Sequence, residues 1–167
     1  ILAAWGYTGG PKPYGYLGLG EVFVFVFFGL VATVGTTYLA IEEIPWEAWL
    51  AGIGVGCLAC ALLVVNNLRD IPTDAAVGKR TLAVRMGDAG TRFFYVALVF
   101  GAFIAAAVVA STHQWTLLTL LALPLALGPV QMVRDGATGA ALIPVLGSTA
   151  RVQLVYGVLF TIGLAIN

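Results

Sequence analysis

Five long apolar stretches dominate this sequence and limit what it can fold into. They cover residues 21–41, 46–65, 93–111, 115–133 and 152–166. A helix needs roughly 20 mostly apolar residues to cross about 30 Å of hydrocarbon, and each stretch approaches that length. Because lipid offers no hydrogen bonds to an open backbone, stretches of this kind are predicted to be helices. The sequence therefore predicts an all-α, multi-span transmembrane helical bundle.

The composition excludes the main alternatives to a membrane protein. Of the 167 residues, 60% are hydrophobic and 10% are charged, whereas about 25% of the residues in soluble domains are charged. A soluble fold of this size has too little interior to bury so much apolar surface. Eight basic and eight acidic residues give no net charge, which offers no basis for binding a nucleic acid.

The charged residues between the stretches predict the orientation of the bundle. All the basic residues fall on one side, namely Lys12, Arg69, Lys79, Arg80, Arg85, Arg92, Arg134 and Arg151. The opposite side carries Glu42, Glu43 and Glu47. Basic loops of membrane proteins lie on the cytoplasmic side. We therefore expect a multi-pass protein of the cell membrane whose basic side faces the cytoplasm.

Two carboxylates four residues apart lie between the second and third stretches. On a helix, Asp70 and Asp74 would share one face, with about 5–6 Å between their Cβ atoms, so that both could reach one cation. Pro72 leaves two possibilities: the helix ends near Ile71, or the proline occupies the first turn of a new short helix. Carboxylate oxygens select hard cations such as Mg²⁺, which also binds substrate phosphates. The pair is a candidate metal and catalytic site.

The polar residues near this pair provide groups that a diphosphate requires. Lys79 and Arg80 can donate charge-assisted hydrogen bonds to phosphate oxygens. Asn66 and Asn67 stand at the end of an apolar stretch, where an amide is costly unless it is engaged. The spacing alone leaves open a simpler interpretation, in which these charges only mark the topology. We predict a cytoplasmic active-site loop over residues 66–92.

The segment before the first stretch is a second candidate for substrate binding. It contains Tyr7, Lys12 and several glycines, which allow a ligand to approach the backbone closely. Lys12 could bind a phosphate, and Tyr7 could stack on an aromatic ring or hydrogen bond to it. A connector rich in glycine and proline, with aromatic residues at the membrane interface, would have the same composition.

Small residues in the second stretch predict close helix packing. Gly52 and Gly56 are four residues apart, with Gly54 between them, and this spacing lets two helix backbones approach each other in lipid. Cys57 and Cys60 follow in the same stretch. We interpret them as small buried hydrophobic residues rather than as a redox or zinc site.

Three parts of this chain resemble motifs of a known family. Residues 66–74, followed by 78–82, are similar to the second Asp-rich motif of the UbiA-type membrane prenyltransferases. Residues 7–21 resemble the branch of that family that prenylates 1,4-dihydroxy-2-naphthoate in menaquinone biosynthesis. Residues 143–146 and 149–151 fit the same branch. Such enzymes have nine spans and two Asp-rich motifs.

The resemblance implies an Mg²⁺-dependent prenyl transfer. A polyprenyl diphosphate would react with 1,4-dihydroxy-2-naphthoate, releasing diphosphate and CO₂ and giving demethylmenaquinone. Asp70 and Asp74 would hold the metal ion. The residues implied in substrate binding are Asn66, Asn67, Lys79, Arg80, Tyr7 and Lys12.

The resemblance also makes this chain the expected C-terminal part of a longer enzyme. The sequence begins with Ile1 rather than methionine, and its five stretches would correspond to spans five to nine. We expect such a part to be inactive by itself. Two alternatives stay open: a related enzyme that uses 4-hydroxybenzoate or haem as acceptor, and a non-enzymatic transporter or assembly subunit. A transporter would more often bury ionisable residues near the middle of its spans.

Overall fold

Five long helices make up the part of the chain that the structure describes. This computed structural model describes Gly6, Gly9 and residues 13–166, with no strand among them. A short 3-10 turn, Tyr14–Leu17, precedes the helices. The helices are α1 (Gly20–Ile41), α2 (Trp46–Ala76), α3 (Leu82–Val109), α4 (Gln114–Arg134) and α5 (Gly139–Ala165). All five are long and apolar enough to cross a membrane, which confirms the predicted multi-span bundle.

Three of the helices change type along their length. The α-helical turns of α1, Gly20–Val24 and Ala32–Ile41, flank a wider π-helical segment, Phe25–Val31. α4 begins with a 3-10 segment, Gln114–Ala122, and continues as an α-helix over Leu123–Arg134. α5 also begins with a 3-10 segment, Gly139–Leu142, and continues as an α-helix over Ile143–Ala165. Pro124 and Pro144 occupy the first turn of these two α-helical parts, where the missing N–H group has no helical partner in any case.

The helices extend beyond the apolar stretches at the end that carries the Asp pair. α2 runs through Pro72 to Ala76, so the helix neither ends at Ile71 nor starts again at the proline. α3 begins at Leu82, and only residues 77–81 connect the two helices. The segment 66–92, predicted as a loop, is therefore mostly helix. Hydropathy identifies only the part of a helix that is embedded in lipid. The 31 residues of α2 extend for about 46 Å, which exceeds the roughly 30 Å of hydrocarbon, so the polar end of the helix was predicted as a loop.

The connection between α4 and α5 is also shorter than predicted. Residues 143–146, which lie between the fourth and fifth predicted stretches, belong to the first turns of the α-helical part of α5. Only residues 135–138 lie between the two helices. The predicted stretch began only at residue 152 because the polar residues Thr149 and Arg151 interrupt the apolar sequence just before it.

α3 bends near its beginning, at Gly87. The backbone angles of this residue, φ 73° and ψ 176°, lie in a region that only glycine adopts readily. The hydroxyl of Thr91 donates a hydrogen bond to the carbonyl of Gly87 at 2.7 Å and so satisfies a group near the bend. Arg92 forms a two-point ion pair with Asp88 and also donates to the carbonyl of Val133 at 2.6 Å. These contacts fix the bent end of α3 to the end of α4.

α2 is the central helix of the bundle. It packs against α1, α3 and α5, and it is the most buried of the five helices, whereas α1 is the least buried. Two polar contacts hold α3 and α5 together within the apolar core. The Tyr156 hydroxyl donates to the carbonyl of Ala102 at 2.9 Å, and the hydroxyls of Tyr95 and Thr149 lie 2.7 Å apart. Both tyrosines therefore bury their rings without leaving a polar group unpaired.

Glycines determine the close crossing of α1 and α2. A Cβ atom at Gly29 of α1 would lie 2.6 Å from Cα of Gly56 and 2.7 Å from the carbonyl oxygen of Gly52. On another face of α2, a Cβ atom at Gly54 would collide with the hydroxyl of Tyr156. The packing role predicted for the three glycines of α2 is thus present in the structure.

Replacing Gly29 by alanine is expected to destabilise the bundle. The new methyl group would meet backbone atoms of α2, which cannot move aside by a rotamer change, and overpacking of this kind costs about 1–3 kcal/mol. Gly35→Ala in the same helix is the matched control, because no neighbouring atom of the described residues lies within 4 Å of its Cβ position. Thermal unfolding in detergent should show a lower midpoint for Gly29→Ala only. Equal midpoints for the two variants would contradict the close crossing.

Candidate active site

Four polar side chains gather on one side of α2 at its C-terminal end. Successive residues of a helix are about 100° apart, which brings Asn66, Asn67, Asp70 and Asp74 within one face. Asp74 and Asn67 are buried, whereas Asp70 and Asn66 are half-buried. The continuous helix through Pro72 is what keeps the two aspartates on this face, one turn apart.

Each aspartate is paired with a cation. Asp70 accepts two hydrogen bonds from the guanidinium of Arg69, at 2.7 and 2.8 Å. Asp74 accepts two from Nζ of Lys79, at 3.1 and 3.0 Å. Two carboxylates and two cations therefore lie within two turns of the end of α2.

The turn after α2 places Lys79 next to Asp74. Gly78 adopts φ +73°, which reverses the chain, and the backbone N–H of Lys79 donates to the carbonyl of Asp74 at 2.9 Å. Nζ of Lys79 also lies 5.8 Å from the centre of the Tyr16 ring, within the range of a cation–π contact. Lys79 is thereby held between a carboxylate and an aromatic face.

The segment before α1 packs on this turn, as its predicted location on the same side requires. The backbone N–H of Arg80 donates to the carbonyl of Tyr16 at 3.1 Å. Gly18, with φ +77°, passes so close that a Cβ atom there would lie 3.2 Å from the carbonyl oxygen of Arg80. Tyr7 and Lys12, the residues predicted to bind substrate in this segment, lie outside the described residues.

The two asparagines have different surroundings. Nδ2 of Asn67 donates to Oε1 of Glu21 at 2.9 Å, between α2 and the first turn of α1. Asn66 makes no side-chain hydrogen bond within the described ranges 13–166. Asn67 thus connects two helices in this structure, while Asn66 is available to a ligand. The substrate-binding roles of both stay predictions.

Sequence reasoning missed two residues of this region, Glu21 and Tyr16. Glu21 is an acidic residue in the first turn of an apolar helix, and only 4% of its surface is exposed. Its place at the edge of a hydrophobic stretch was a usable signal, because a carboxylate there needs a partner. Tyr16 belonged to a segment in which Tyr7 and Lys12 were preferred, and only the fold shows that Tyr16 faces Lys79.

The side chains of this site suit a metal ion that is completed by its substrate. Among the described residues, no group of three His, Cys, Asp or Glu side chains could hold a metal ion. Asp70 and Asp74 offer two carboxylates, which is the usual protein contribution to an Mg²⁺ ion that keeps waters and binds substrate phosphates. The site thus fits Mg²⁺ with a phosphorylated substrate better than a structural metal.

Comparisons with known proteins find one family and several similar enzymes. Residues 1–141 match the model of the UbiA prenyltransferase family. The chain is 49% identical over 93% of its length to 1,4-dihydroxy-2-naphthoate octaprenyltransferase of Mycobacterium tuberculosis. It is 43% identical over its full length to the enzyme of the same name from Haemophilus influenzae. A 2-carboxy-1,4-naphthoquinone phytyltransferase of Synechocystis is 30% identical over 80% of the chain.

The chain is shorter than these relatives. It covers 53% of the Mycobacterium tuberculosis protein, 55% of the Haemophilus influenzae protein and 44% of the Synechocystis protein. It therefore spans about half the length of the curated relatives it matches. No solved structure matches the chain.

Proposed function

Because the chain belongs to the UbiA prenyltransferase family, we propose that the protein transfers a polyprenyl group from its diphosphate to 1,4-dihydroxy-2-naphthoate. The products would be demethylmenaquinone, diphosphate and CO₂. One observation carries the proposal: Asp70 and Asp74 share one helical face beside Lys79 and Arg69, at the end of a membrane-spanning helix. The names of the most similar relatives support the choice of acceptor.

Asp70 and Asp74 are the residues that would hold Mg²⁺. Members of the UbiA family generally depend on a divalent metal ion. When bound, the ion supplies positive charge where negative charge develops on the departing diphosphate. The half-buried position of Asp70 and the buried position of Asp74 make both carboxylates stronger ligands than they would be in open water.

The cations already beside the carboxylates would bind the diphosphate. Lys79 and Arg69 now neutralise the aspartates. If Asp70 and Asp74 held a divalent ion instead, both basic side chains would be able to turn to phosphate oxygens. Arg80, whose side chain is exposed on the same turn, adds a third donor. Charge-assisted hydrogen bonds of this kind are about twice as strong as neutral ones. The site would thus exchange internal ion pairs for contacts with the leaving group.

The membrane-spanning part of the bundle would receive the prenyl chain. Apolar surfaces of the helices match a hydrocarbon tail, and few waters in such a site protect an allylic cation from hydrolysis. The basic end of the bundle, with the Asp pair, would face the cytoplasm by the distribution of Lys and Arg. Polyprenyl diphosphate and the naphthoate would then meet at the cytoplasmic surface of the membrane.

Acceptor profiling tests the proposed function. Membranes from cells that express the full reading frame encoding this chain are incubated with a polyprenyl diphosphate and, separately, with 1,4-dihydroxy-2-naphthoate, 4-hydroxybenzoate or haem. Mass spectrometry should detect a prenylated product only with the naphthoate, at the mass of demethylmenaquinone. A product with 4-hydroxybenzoate or haem alone would assign the chain to another branch. No product with any acceptor would favour a non-enzymatic membrane protein.

A further inference from the structure

Among the described residues, one buried carboxylate oxygen about one helical turn below the Asp pair has no hydrogen-bond partner. Oε1 of Glu21 accepts a hydrogen bond from Nδ2 of Asn67 at 2.9 Å. Oε2 of the same carboxylate is buried and has no hydrogen-bond partner in the part of the chain that the structure describes. Within the same ranges, no Lys, Arg or His side chain forms an ion pair with Glu21. Among the described residues, only one of the two Glu21 carboxylate oxygens is thus hydrogen bonded.

A role in packing alone does not account for this arrangement. A contact that joins α1 to α2 needs one acceptor for the amide of Asn67, and the side-chain carbonyl of a glutamine would serve. The second oxygen adds only a desolvation cost, which is typically about 1–3 kcal/mol for an unpaired buried polar group and more for a charged one. Unpaired buried groups in native structures call for an explanation, and completion by a ligand is one.

The position of Glu21 points to the acceptor rather than to the diphosphate. Asn67 precedes Asp70 by three residues, or about 4.5 Å along the helix axis, on the side toward the middle of the membrane. Diphosphate at the Asp pair would place the first carbon of the prenyl chain next to this level. The aromatic carbon that attacks it must then lie close to Glu21 as well.

The hydrogen-bonding groups of the two substrates also indicate that Glu21 contacts the acceptor. An unpaired carboxylate oxygen needs a hydrogen-bond donor. A prenyl diphosphate offers negative charge at one end and hydrocarbon at the other, and neither donates. A hydroxylated aromatic acceptor does donate, through its ring hydroxyl groups.

We propose that Oε2 of Glu21 accepts a hydrogen bond from a ring hydroxyl of the aromatic acceptor, while Asn67 holds the carboxylate in place. This inference rests on the proposed function, because it names a contact of the same site. Glu21 is then a residue that selects and orients the acceptor, and it has no part in binding the diphosphate.

Steady-state kinetics of Glu21→Gln test this contact in membranes with the full reading frame. The amide keeps the size of the side chain but places a donor where the hydroxyl needs an acceptor. Hydrogen bonds to charged groups contribute about 1.5–3 kcal/mol, so kcat/KM for 1,4-dihydroxy-2-naphthoate should fall about 10- to 100-fold. KM for the polyprenyl diphosphate should change less than about twofold on the same reasoning. Glu43→Gln, the same change at an exposed residue on the opposite side, is the matched control and should leave both constants unchanged.

Inhibition by acceptor analogues provides a second test that does not depend on the folding of the variant. In the wild-type protein, naphthoates in which one hydroxyl is replaced by hydrogen or methoxy are compared as inhibitors. One of these changes should weaken inhibition at least about tenfold, and the same change should have little effect in Glu21→Gln.

Three results would overturn the proposed contact. They are an unchanged acceptor constant in Glu21→Gln, equal losses for both substrates, and wild-type inhibition that is insensitive to either hydroxyl. Failure of the proposed function is a different result, since the wild-type protein would then form no prenylated naphthoate at all.

Discussion

Replacing Asp70 or Asp74 by asparagine is expected to lower prenyl transfer at least about 100-fold, since removing one charge-stabilising group from a comparable site costs about 10²–10³ in kcat. Asparagine keeps the size of the side chain and one oxygen for Arg69 or Lys79, but it loses the negative charge that a divalent ion requires. The loss should therefore appear in turnover and not in folding. Product formation from 1,4-dihydroxy-2-naphthoate, normalised to the amount of membrane-inserted protein, is the measurement.

Asp135→Asn is the matched control for these two variants. Asp135 follows α4 and is exposed on the same side of the bundle as the Asp pair, but it lies outside the polar face of α2. The control should retain nearly full activity. If Asp70→Asn and Asp74→Asn both kept the wild-type turnover, neither aspartate would take part in the reaction.

Removing divalent ions is expected to abolish activity reversibly. Without the ion, Asp70 and Asp74 return to their ion pairs with Arg69 and Lys79, and the developing charge on diphosphate loses its main stabilisation. EDTA should therefore eliminate turnover, and excess Mg²⁺ should restore it. Turnover that persists in EDTA would show that the carboxylates act without a metal ion.

Two controls accompany this measurement. EDTA saturated with Mg²⁺ before addition should have no effect, which separates chelation from any action on the membrane. The helical content should also be unchanged by EDTA, because the described residues hold the bundle together through apolar packing and hydrogen bonds rather than through a metal ion.

Sequence patterns predicted the number and type of the helices because lipid imposes a strict requirement. Residues 21–41 correspond to α1 and 115–133 to α4 within a few positions. The missed ends of α2 and α3 have one physical reason. Beyond the hydrocarbon, a helix continues with polar residues, so the hydropathy falls while the hydrogen-bond pattern persists. Pro72 reinforced the error, since a proline inside a helix more often ends it.

The arrangement of the predicted residues on α2 was predictable from the sequence, but most of their contacts were not. The four-residue spacing of Asp70 and Asp74 correctly placed them on one face, and the nearby Lys79 proved to be in contact with Asp74. The partner of Asn67 could not be predicted, because Glu21 lies 46 positions away and only the crossing of α1 and α2 brings them together. The glycines that permit this crossing were recognised in α2, whereas their counterpart, Gly29, was not.

The most direct measurement concerns the contact between the metal ion and the substrate. Mn²⁺ replaces Mg²⁺ in the purified membrane protein, an unreactive thiol analogue of the polyprenyl diphosphate is added, and free ions are removed by gel filtration. Electron–nuclear double resonance should then show coupling between Mn²⁺ and the ³¹P nuclei in the wild-type protein. The coupling should be absent in the double variant Asp70→Asn/Asp74→Asn. The same coupling in both proteins, or none in the wild type, would contradict a diphosphate bound through an ion at this pair.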